Sequence, residues 1–354
     1  MRVVMRHGVV GLVHDGLSRA GVDIPSVVKS DLKLGAATLV HHNLALAAEA
    51  LRVQASFDRA NVPLLFLKGP ALAALVYGAL GLRDCKDLDI LVSPDDLNRA
   101  GTLLETAGYA RFEPPLTASE AQMRALRPIR KDYGYSRSGG GDTQIELHWR
   151  LFRNPHLVEQ SILTTAPQSV PMATAGAVPT LNHDALFAYL CAHGAIHWWR
   201  ELKWMADIGA ILSNTDEAGI ERMYRFADNI GLGRVAALAI LLSERVLGTV
   251  VPPDLSRALR QQPTRWLEAT VLKVLTAGGN ETLPRARPFG TTRGSFSTIL
   301  LRKGLRYRVA ETKLQLTSQE DVLAVPMPQG LAWLYPALRL PLWLFRQMSK
   351  REIS

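Results

Sequence analysis

The order of apolar and polar positions sorts the chain into helical flanks around a strand-bearing middle. From Asp31 to Ala60 the sequence is poor in Gly and Pro and rich in Ala and Leu. Leu44, Ala47, Leu51 and Ala55 recur on one helical face there, which predicts a long helix. Residues 1 to 28 predict short helices closed by Pro25. Asn61-Val62-Pro63 ends the long helix and leads into an apolar run, Leu64 to Leu67, bounded on the far side by Lys68-Gly69-Pro70. That run predicts a short buried strand followed by a turn. Ala71 to Leu80, with Pro70 at its start, suits a short helix. A second apolar run, Ile90-Leu91-Val92, follows Arg83-Asp84-Cys85-Lys86-Asp87-Leu88-Asp89 and predicts a second strand.

Further on, Ser93-Pro94-Asp95-Asp96 has the chemistry of a helix start, with Ser93 as cap, and the helix Asp95 to Thr106 stops at Gly108. Tyr109 to Phe112 predicts a strand broken by Pro114-Pro115, and Glu120 to Leu126 a short helix. Asp132 to Ser138 and Thr143 to Leu151 predict two antiparallel strands joined by a turn at Gly139-Gly140-Gly141-Asp142. In the second, Ile145, Leu147 and Trp149 alternate with Glu146, His148 and Arg150, leaving one polar face. A short strand is expected near Val170, then a helix from Asn182 or Asp184 through His193. Helices follow at Ile220 to Ile230, Gly233 to Val246, Pro253 to Gln261 and Trp266 to Leu275, with a loop at Gly279 to Gly294. The pattern divides the chain into an N-terminal helical segment (1–62), a strand-bearing core (63–181) and a helical C-terminal domain (182–354).

Asp87 and Asp89 stand two apart at the start of a strand, so period-two geometry puts both on one face. Two carboxylates side by side repel, and a divalent cation such as Mg²⁺ or Mn²⁺ is the usual remedy. The plainer reading is an edge strand whose acids face solvent. The apolar flanks Leu88, Ile90, Leu91 and Val92 weigh against it, because they imply burial. The glycine turn after the first strand offers N–H groups for phosphate. His193 and His197 share a helix face if the helix continues past Gly194. Ala195 and Ile196 stand where a zinc-type site would carry its glutamate base, so these histidines fit better as a cleft wall, with Lys203 and Asp207 close by. Asp207 also suits a salt bridge to Lys203 or His197. Trp198, Trp199 and Trp204 are expected in the core, and His41 and His42 at the surface or in the core.

The layout strand, Lys68-Gly69, helix, Arg83, Asp87-Leu88-Asp89, strand resembles the uncharacterised nucleotidyltransferase family within the DNA polymerase β-like superfamily. The resemblance extends to Glu146-Leu147-His148-Trp149, to His193 through His197 and to Leu202 through Asp207, covering the chain from the helix before Pro63 to about Leu212. It implies an α+β fold: a polymerase β-like core, with a small mixed sheet and flanking helices, plus a mainly helical C-terminal domain. It also implies transfer of a nucleoside monophosphate from an NTP. Asp87, Asp89 and Glu146 would be the metal-holding and catalytic acids, and Mg²⁺ or Mn²⁺ the cofactor. Lys68, Gly69 and Arg83 would meet phosphate. His148 would orient Glu146 or touch substrate, and Tyr77 would contact base or sugar unless it merely packs. His193, His197, Lys203 and Asp207 would line the acceptor cleft. Two positions depart from the superfamily pattern. Pro70 stands where a serine usually follows the glycine. Lys86 stands where serine is frequent, placing a cation beside the acids that either neutralises triphosphate or replaces a metal charge.

Composition adds a net charge of +9, from 41 basic against 32 acidic residues, which favours anionic partners without choosing among nucleotides, nucleic acid and headgroups. The run Arg124, Arg127, Arg130 and Lys131 reads equally as a solvated face or as a contact for triphosphate or an anionic acceptor. Arg285, Arg287 and Arg293, with Arg302, Lys303, Arg306 and Arg308, are a nucleic-acid alternative without a recognition motif. Two distant cysteines, Cys85 and Cys191, support no disulfide framework, so a reducing cytoplasm is expected. Neither a signal peptide nor a membrane-spanning run is read. The tail Leu331 to Met348 allows peripheral membrane contact, although Pro336 and Pro341 argue against a long helix and favour packing back on the domain. The acceptor could be a small molecule, peptide, protein or RNA. The rivals to catalysis are a nucleotide-binding or regulatory protein with a decayed site, or a basic accessory protein bound to nucleic acid or membrane.

Overall fold

The computed structural model describes residues 1–137, 143–172, 176–276 and 292–351. The chain opens with α1 (Arg2–Arg6), α2 (Val10–Ala20) and the 34-residue α3 (Ser26–Arg59). The buried stripe of α3 is Leu39, Asn43, Leu46, Ala50, Val53 and Phe57. Of the face expected from the sequence, Leu44 and Ala55 are exposed and only Ala47 is buried. Alanine carries so little apolar area that an Ala-rich helix does not declare its inner face by periodicity. His41 and His42 lie at the surface.

Next come β1 (Leu64–Phe66), α4 (Pro70–Tyr77), β2 (Leu88–Val92), α5 (Leu97–Thr106), β3 (Ala110–Glu113), α6 (Glu120–Leu126), β4 (Asp132–Arg137) and β5 (Thr143–His148). They build one mixed sheet in the order β1-β2-β5-β4-β3, parallel only between β2 and β5. The antiparallel pairing of β4 with β5 is as expected, while the glycine triplet expected to join them lies outside the described residues. The helix after β2 starts two residues later than its sequence suggests. Ser93 accepts a turn hydrogen bond from the Asp95 N–H, and the cap position falls to Asp96.

A second, two-stranded sheet joins β6 (Gln168–Pro171) to β7 (Ala177–Thr180), and the Thr180 hydroxyl ties it to β1 by donating to the Phe66 carbonyl, 2.6 Å. The helical half follows: α7 (His183–Ile196), α8 (Leu202–Ser213), α9 (Glu217–Asn229), α10 (Gly233–Leu247), α11 (Pro253–Leu259), α12 (Arg265–Thr276), α13 (Thr292–Ile299), α14 (Leu305–Leu316), α15 (Gln319–Ala324) and α16 (Tyr335–Arg351). Asn182 caps α7 by accepting from the Ala185 N–H. The expected loop Gly279 to Gly294 falls mostly outside the described residues, with α13 already begun at its end.

Pro341 sits inside α16, so the tail forms a longer helix than its prolines suggested. It is tied back through Tyr335, whose hydroxyl donates to the Val325 carbonyl and accepts from the Met327 N–H. Among the described residues no helix is long and apolar enough to cross a membrane.

The sheet separates two hydrophobic cores. Leu88, Ile90, Val92, Ile145 and Leu147 pack with Leu46, Val53 and Phe57 of α3 and Leu97, Ala100 and Leu104 of α5. Leu67 and Leu91 turn the other way and join the core of α7 to α10. The opposite face of β2 and β5 therefore looks toward the helical half, and there the alternation places Asp89, Glu146 and His148.

The two halves are also joined by charge. The Arg83 guanidinium, buried on the loop before β2, meets Asp207 of α8 through two nitrogens (2.9 and 3.0 Å), and the Tyr77 hydroxyl donates to the same carboxylate at 2.9 Å. Asn43 of α3 holds this loop by donating to the Leu80 and Arg83 carbonyls. Asp207 thus pairs with Arg83 and Tyr77, not with Lys203 or His197. Asp207→Ala leaves Arg83 buried and uncompensated, so urea unfolding should show a loss of about 3–5 kcal/mol. A loss below about 1 kcal/mol would contradict this account.

At the flank of the buried stripe of α3, buried Glu49 accepts from Arg52, Tyr109 and Arg137. Burial opposes its charge, but Arg52, Tyr109 and Arg137 outweigh it and hold its pKa below the ordinary 4.5. A depressed folded pKa gives stability that is full above the unfolded value and fades as pH falls through the folded one. The wild type should exceed Glu49→Gln by about 1–3 kcal/mol at neutral pH. That gap should shrink below about pH 4.5, and urea titrations at neutral and acidic pH that showed a constant gap would refute the assignment.

Candidate active site

The site starts from the turn between β1 and α4. Gly69 has φ +68° and ψ −143°, a conformation essentially reserved for glycine, and a Cβ there would lie 3.0 Å from the Asp87 carbonyl oxygen. Pro70 then begins α4 at the position where its missing N–H is harmless. The turn brings Lys68 and the Asp87 loop together, while the Leu67 N–H donates to the Asp89 carbonyl, 2.9 Å.

Asp89 and Glu146 are direct partners across the parallel β2–β5 pair, and His148 follows two residues on along the same face. Donor atoms of Asp89, Glu146 and His148 all lie within 4.8 Å of one another. His148 Nε2 is 3.3 Å from both Asp89 Oδ1 and Glu146 Oε2, and Lys68 Nζ is 2.9 Å from Asp89 Oδ1. Asp89 is fully buried, whereas the Glu146 side chain is 40% exposed. Asp89 Oδ2 has no hydrogen-bond partner. A buried carboxylate oxygen without a donor is costly, and a cation is the ligand it lacks. The two carboxylates are hard oxygen donors of the kind that Mg²⁺ and Mn²⁺ take, and the imidazole between them is a borderline donor placed to orient both.

Asp87 precedes β2 and sits in the bend before it, so the expected period-two pairing with Asp89 begins one residue too early. Asp87 nonetheless lines the same cavity as Asp89 and Glu146. Burial and then the Asp89 charge push its carboxyl up to about 6, against the pull of Lys68. Burial also opposes ionisation of Asp89, but Lys68 and His148 prevail and hold it well below the usual carboxylate range. The Lys68 ammonium is desolvated too, and Asp89 more than restores its charge. For His148, burial and Lys131 disfavour the proton while Asp89, Glu146 and Asp132 favour it, with a net upward shift.

Sequence reasoning missed Asp132 as a member of this cluster and read Lys131 only within its basic run, as a solvated face or an anion contact. Asp132 is the register partner of His148 on β4, with Oδ2 at 4.0 Å from Nε2. Burial opposes its charge, yet Lys131 and His148 bring its carboxyl down to about 2. Lys131 bridges Asp132 and Glu146, 3.4 Å from the latter. The strand alternation put Asp132 on the polar face, but only the β4–β5 register shows which residue it meets.

The cavity over the acids holds about 460 Å³. Its far wall is α7, the turn after it and the start of α8: Tyr189, His193 and His197, then Lys203 and Trp204. The His193 and His197 rings lie 4.7 Å apart, and each is 5.3 Å from Trp204. Burial first, then Lys68, lowers both imidazoles, His197 to about 3, so both are neutral at physiological pH. The turn carries Trp198 and Trp199 at positive φ, 56° and 49°, a strained state for bulky residues. Trp199 is fully buried, and its ring passes so close to Gly194 that a Cβ there would lie 2.6 Å away. Trp198 is half-buried.

Other expected contacts are committed within the protein. Arg83 borders the cavity with its guanidinium committed to Asp207, and neither Tyr77 nor Asp207 borders it. Tyr77 and Asp207 were expected at substrate because their neighbours in sequence are, but their hydroxyl and carboxylate are satisfied beneath the wall. Lys86 also borders the cavity, exposed and 3.6 Å from Glu201, while the cation in contact with Asp89 is Lys68. In the basic run, Arg124 pairs with Glu120 at the surface, Arg127 reaches the Pro94 carbonyl, and Arg130 holds Glu113 and Asp132. Arg302 is held by Glu159 and the His156 carbonyl. Lys303, Arg306 and Arg308 are exposed, and Arg285 and Arg287 lie outside the described residues.

The uncharacterised nucleotidyltransferase family matches residues 1–248. No curated protein matches the chain. Among solved structures, the antibiotic-resistance factor ANT(2'')-Ia is similar at 12% identity and TM-score 0.35, over 52% of this chain and 90% of that one. An antigenic nucleotidyltransferase-like protein from Paracoccidioides brasiliensis is similar at 16% identity and TM-score 0.36, over 62% and 93%. With the family match spanning well over half of the sequence, the chain belongs to the family of uncharacterised nucleotidyltransferases.

Proposed function

We propose that the protein moves a nucleoside monophosphate from an NTP to an acceptor nucleophile, using Mg²⁺ or Mn²⁺ held by Asp89 and Glu146 with help from Asp87. The observation that carries this reading is the fully buried Asp89, ionised, aligned with Glu146, and left with an unpartnered Oδ2 beneath the cavity. A bound divalent ion would supply positive charge to the phosphate oxygens and hold the attacking and leaving oxygens in line. Lys68 offers an ammonium to the phosphates, and the glycine turn brings that ammonium beside the acids. Glu146, the most exposed of the triad, is the group to take the proton of the acceptor. His148 orients Glu146 and Asp89 through a single nitrogen. The neutral His193 and His197 with Trp204 and Lys203 offer the acceptor a ring-lined wall, and the acceptor class stays open among small molecule, peptide, protein and RNA. Cys85 and Cys191 are free and buried, in keeping with a cytoplasmic setting.

One contact favours a second reading. With Lys68 at 2.9 Å from Asp89, the lysine already performs part of a metal's electrostatic task, as in a nucleotide-binding protein that has lost catalysis. Pyrophosphate release from a panel of NTPs, with and without Mg²⁺, separates the two. Metal-dependent release is expected, together with a mass gain of one nucleoside monophosphate on the acceptor. Asp89→Asn should cut release by more than about 100-fold. Nucleotide binding indifferent to chelator, with no release from any NTP, would establish the second reading. Lys68→Gln should bind Mn²⁺ roughly tenfold more tightly, because the competing ammonium is gone, while turnover falls. Unchanged Mn²⁺ affinity, read by electron paramagnetic resonance, would show that Lys68 does not share the site.

A further inference from the structure

A second cavity of about 340 Å³ adjoins the first, and Lys131 and Arg153 line both. Four cations border it, Arg130, Lys131, Arg153 and Arg339, against two carboxylates, Asp132 and Glu320. Their pairing is uneven. Arg130 is spent on Glu113 (2.8 Å) and Asp132 (3.1 Å), and Lys131 on Asp132 and Glu146. Arg153 makes no ion pair among the described residues; it donates only to the backbone carbonyls of Leu314 and Thr317, at the end of α14. Solvent reaches its side chain even though it sits amid packed elements. Burial and the like charges of Arg339 and Arg130 lower its pKa, against the opposing pull of Glu311 and Glu320.

We propose that this cavity is a binding site for a phosphate-type oxyanion, with Arg153 as its principal ligand and Glu320 as the charge that limits affinity. A guanidinium held by backbone carbonyls keeps its remaining N–H groups in a fixed fork, the geometry suited to phosphate oxygens. Because Arg153 also borders the acidic cavity, the oxyanion lies next to the proposed nucleotidyl-transfer site. Two sources share this chemistry: the pyrophosphate end of the nucleotide, and a phosphate carried by the acceptor. Oxyanion binding itself does not depend on the transfer reading, so it can be tested without metal or nucleotide.

The test is calorimetric titration of the full chain with inorganic phosphate and with pyrophosphate, at low salt and without divalent metal. Wild type should bind, Arg153→Ala should bind about tenfold more weakly, and Arg153→Lys should fall between them. Glu320→Gln should bind about threefold more tightly, since a neighbouring negative charge is removed. Asp89→Asn should leave phosphate affinity within about twofold, because that change disables only the acidic site. Competition by NTP would assign the oxyanion to the nucleotide end, and simultaneous binding would assign it to the acceptor; either supports the site. No binding to wild type at about 10 mM phosphate would overturn the proposal. So would unchanged affinity in Arg153→Ala or in Glu320→Gln, which would leave Arg153 only its tether to α14. Phosphate binding that tightened severalfold in Asp89→Asn would overturn it too, since the Lys68 ammonium released from Asp89 would then be the ligand and the anion would belong to the acidic cavity.

Discussion

Asp89 is a charge at the centre of a sheet with no contact with water. Removing a carboxylate from water costs several kcal/mol even after relaxation, unless cations and hydrogen bonds replace the solvent. The surroundings of Asp89 follow from that requirement. Gly69 adopts a backbone state that lets the β1–α4 turn press against the Asp87 carbonyl, and this delivers Lys68 to Asp89. The parallel register of β2 and β5 delivers His148 and Glu146. Lys131 and Asp132 then extend the alternation of charge to β4. Apolar residues fill the reverse side of the same strands, so slipping either strand by one residue would bury the acids in a hydrocarbon core.

A second buried pair fixes the opposite wall. Arg83 belongs to the loop that leads to Asp87, and Asp207 belongs to the helix after the strained Trp198-Trp199 turn. Two parallel hydrogen bonds between them set both spacing and orientation. The loop bearing one side of the cavity and the helix bearing the other are thus held together by the protein's own ion pair. Asn43 restrains the loop from behind, and the Lys203 N–H donates to the His7 carbonyl, so the N-terminal segment also braces the site. The charges that face the cavity and the charges that join the two halves lie only a few residues apart.

That division is what the sequence conceals. Arg83, Tyr77 and Asp207 look like site residues because the glycine turn, the acids and the histidines surround them, but pairing across more than a hundred positions leaves no mark in local pattern. Asp89, Glu146 and His148 were legible because strand alternation and apolar flanks impose a face. The two-lobed arrangement of a strand-bearing middle followed by helices was legible from periodicity, and the helices from Glu217 to Thr276 fall close to their expected limits. The inner face of α3 was not, since alanine hardly distinguishes inside from outside. Asp132, Lys131 and Arg153 were invisible as a group because each owes its role to β-register or to docking of α14.

The position of Lys68 bears on how such a site can rest and then work. An ammonium beside a buried carboxylate offsets the repulsion among three acids that line one cavity. Under the proposed transfer, an incoming phosphate presents the same charge and the same kind of acceptor oxygen as Asp89. The lysine can therefore exchange one oxyanion for the other without leaving the low-dielectric region or losing a partner. Asp89 would then keep only the His148 contact on Oδ1, and its carboxylate would be open to a divalent cation. A serine at the glycine turn could donate to phosphate but could not neutralise the acids beforehand. With Pro70 after Gly69, this turn carries no such hydroxyl, and Lys68 on the other side of the glycine supplies a cation to Asp89 instead.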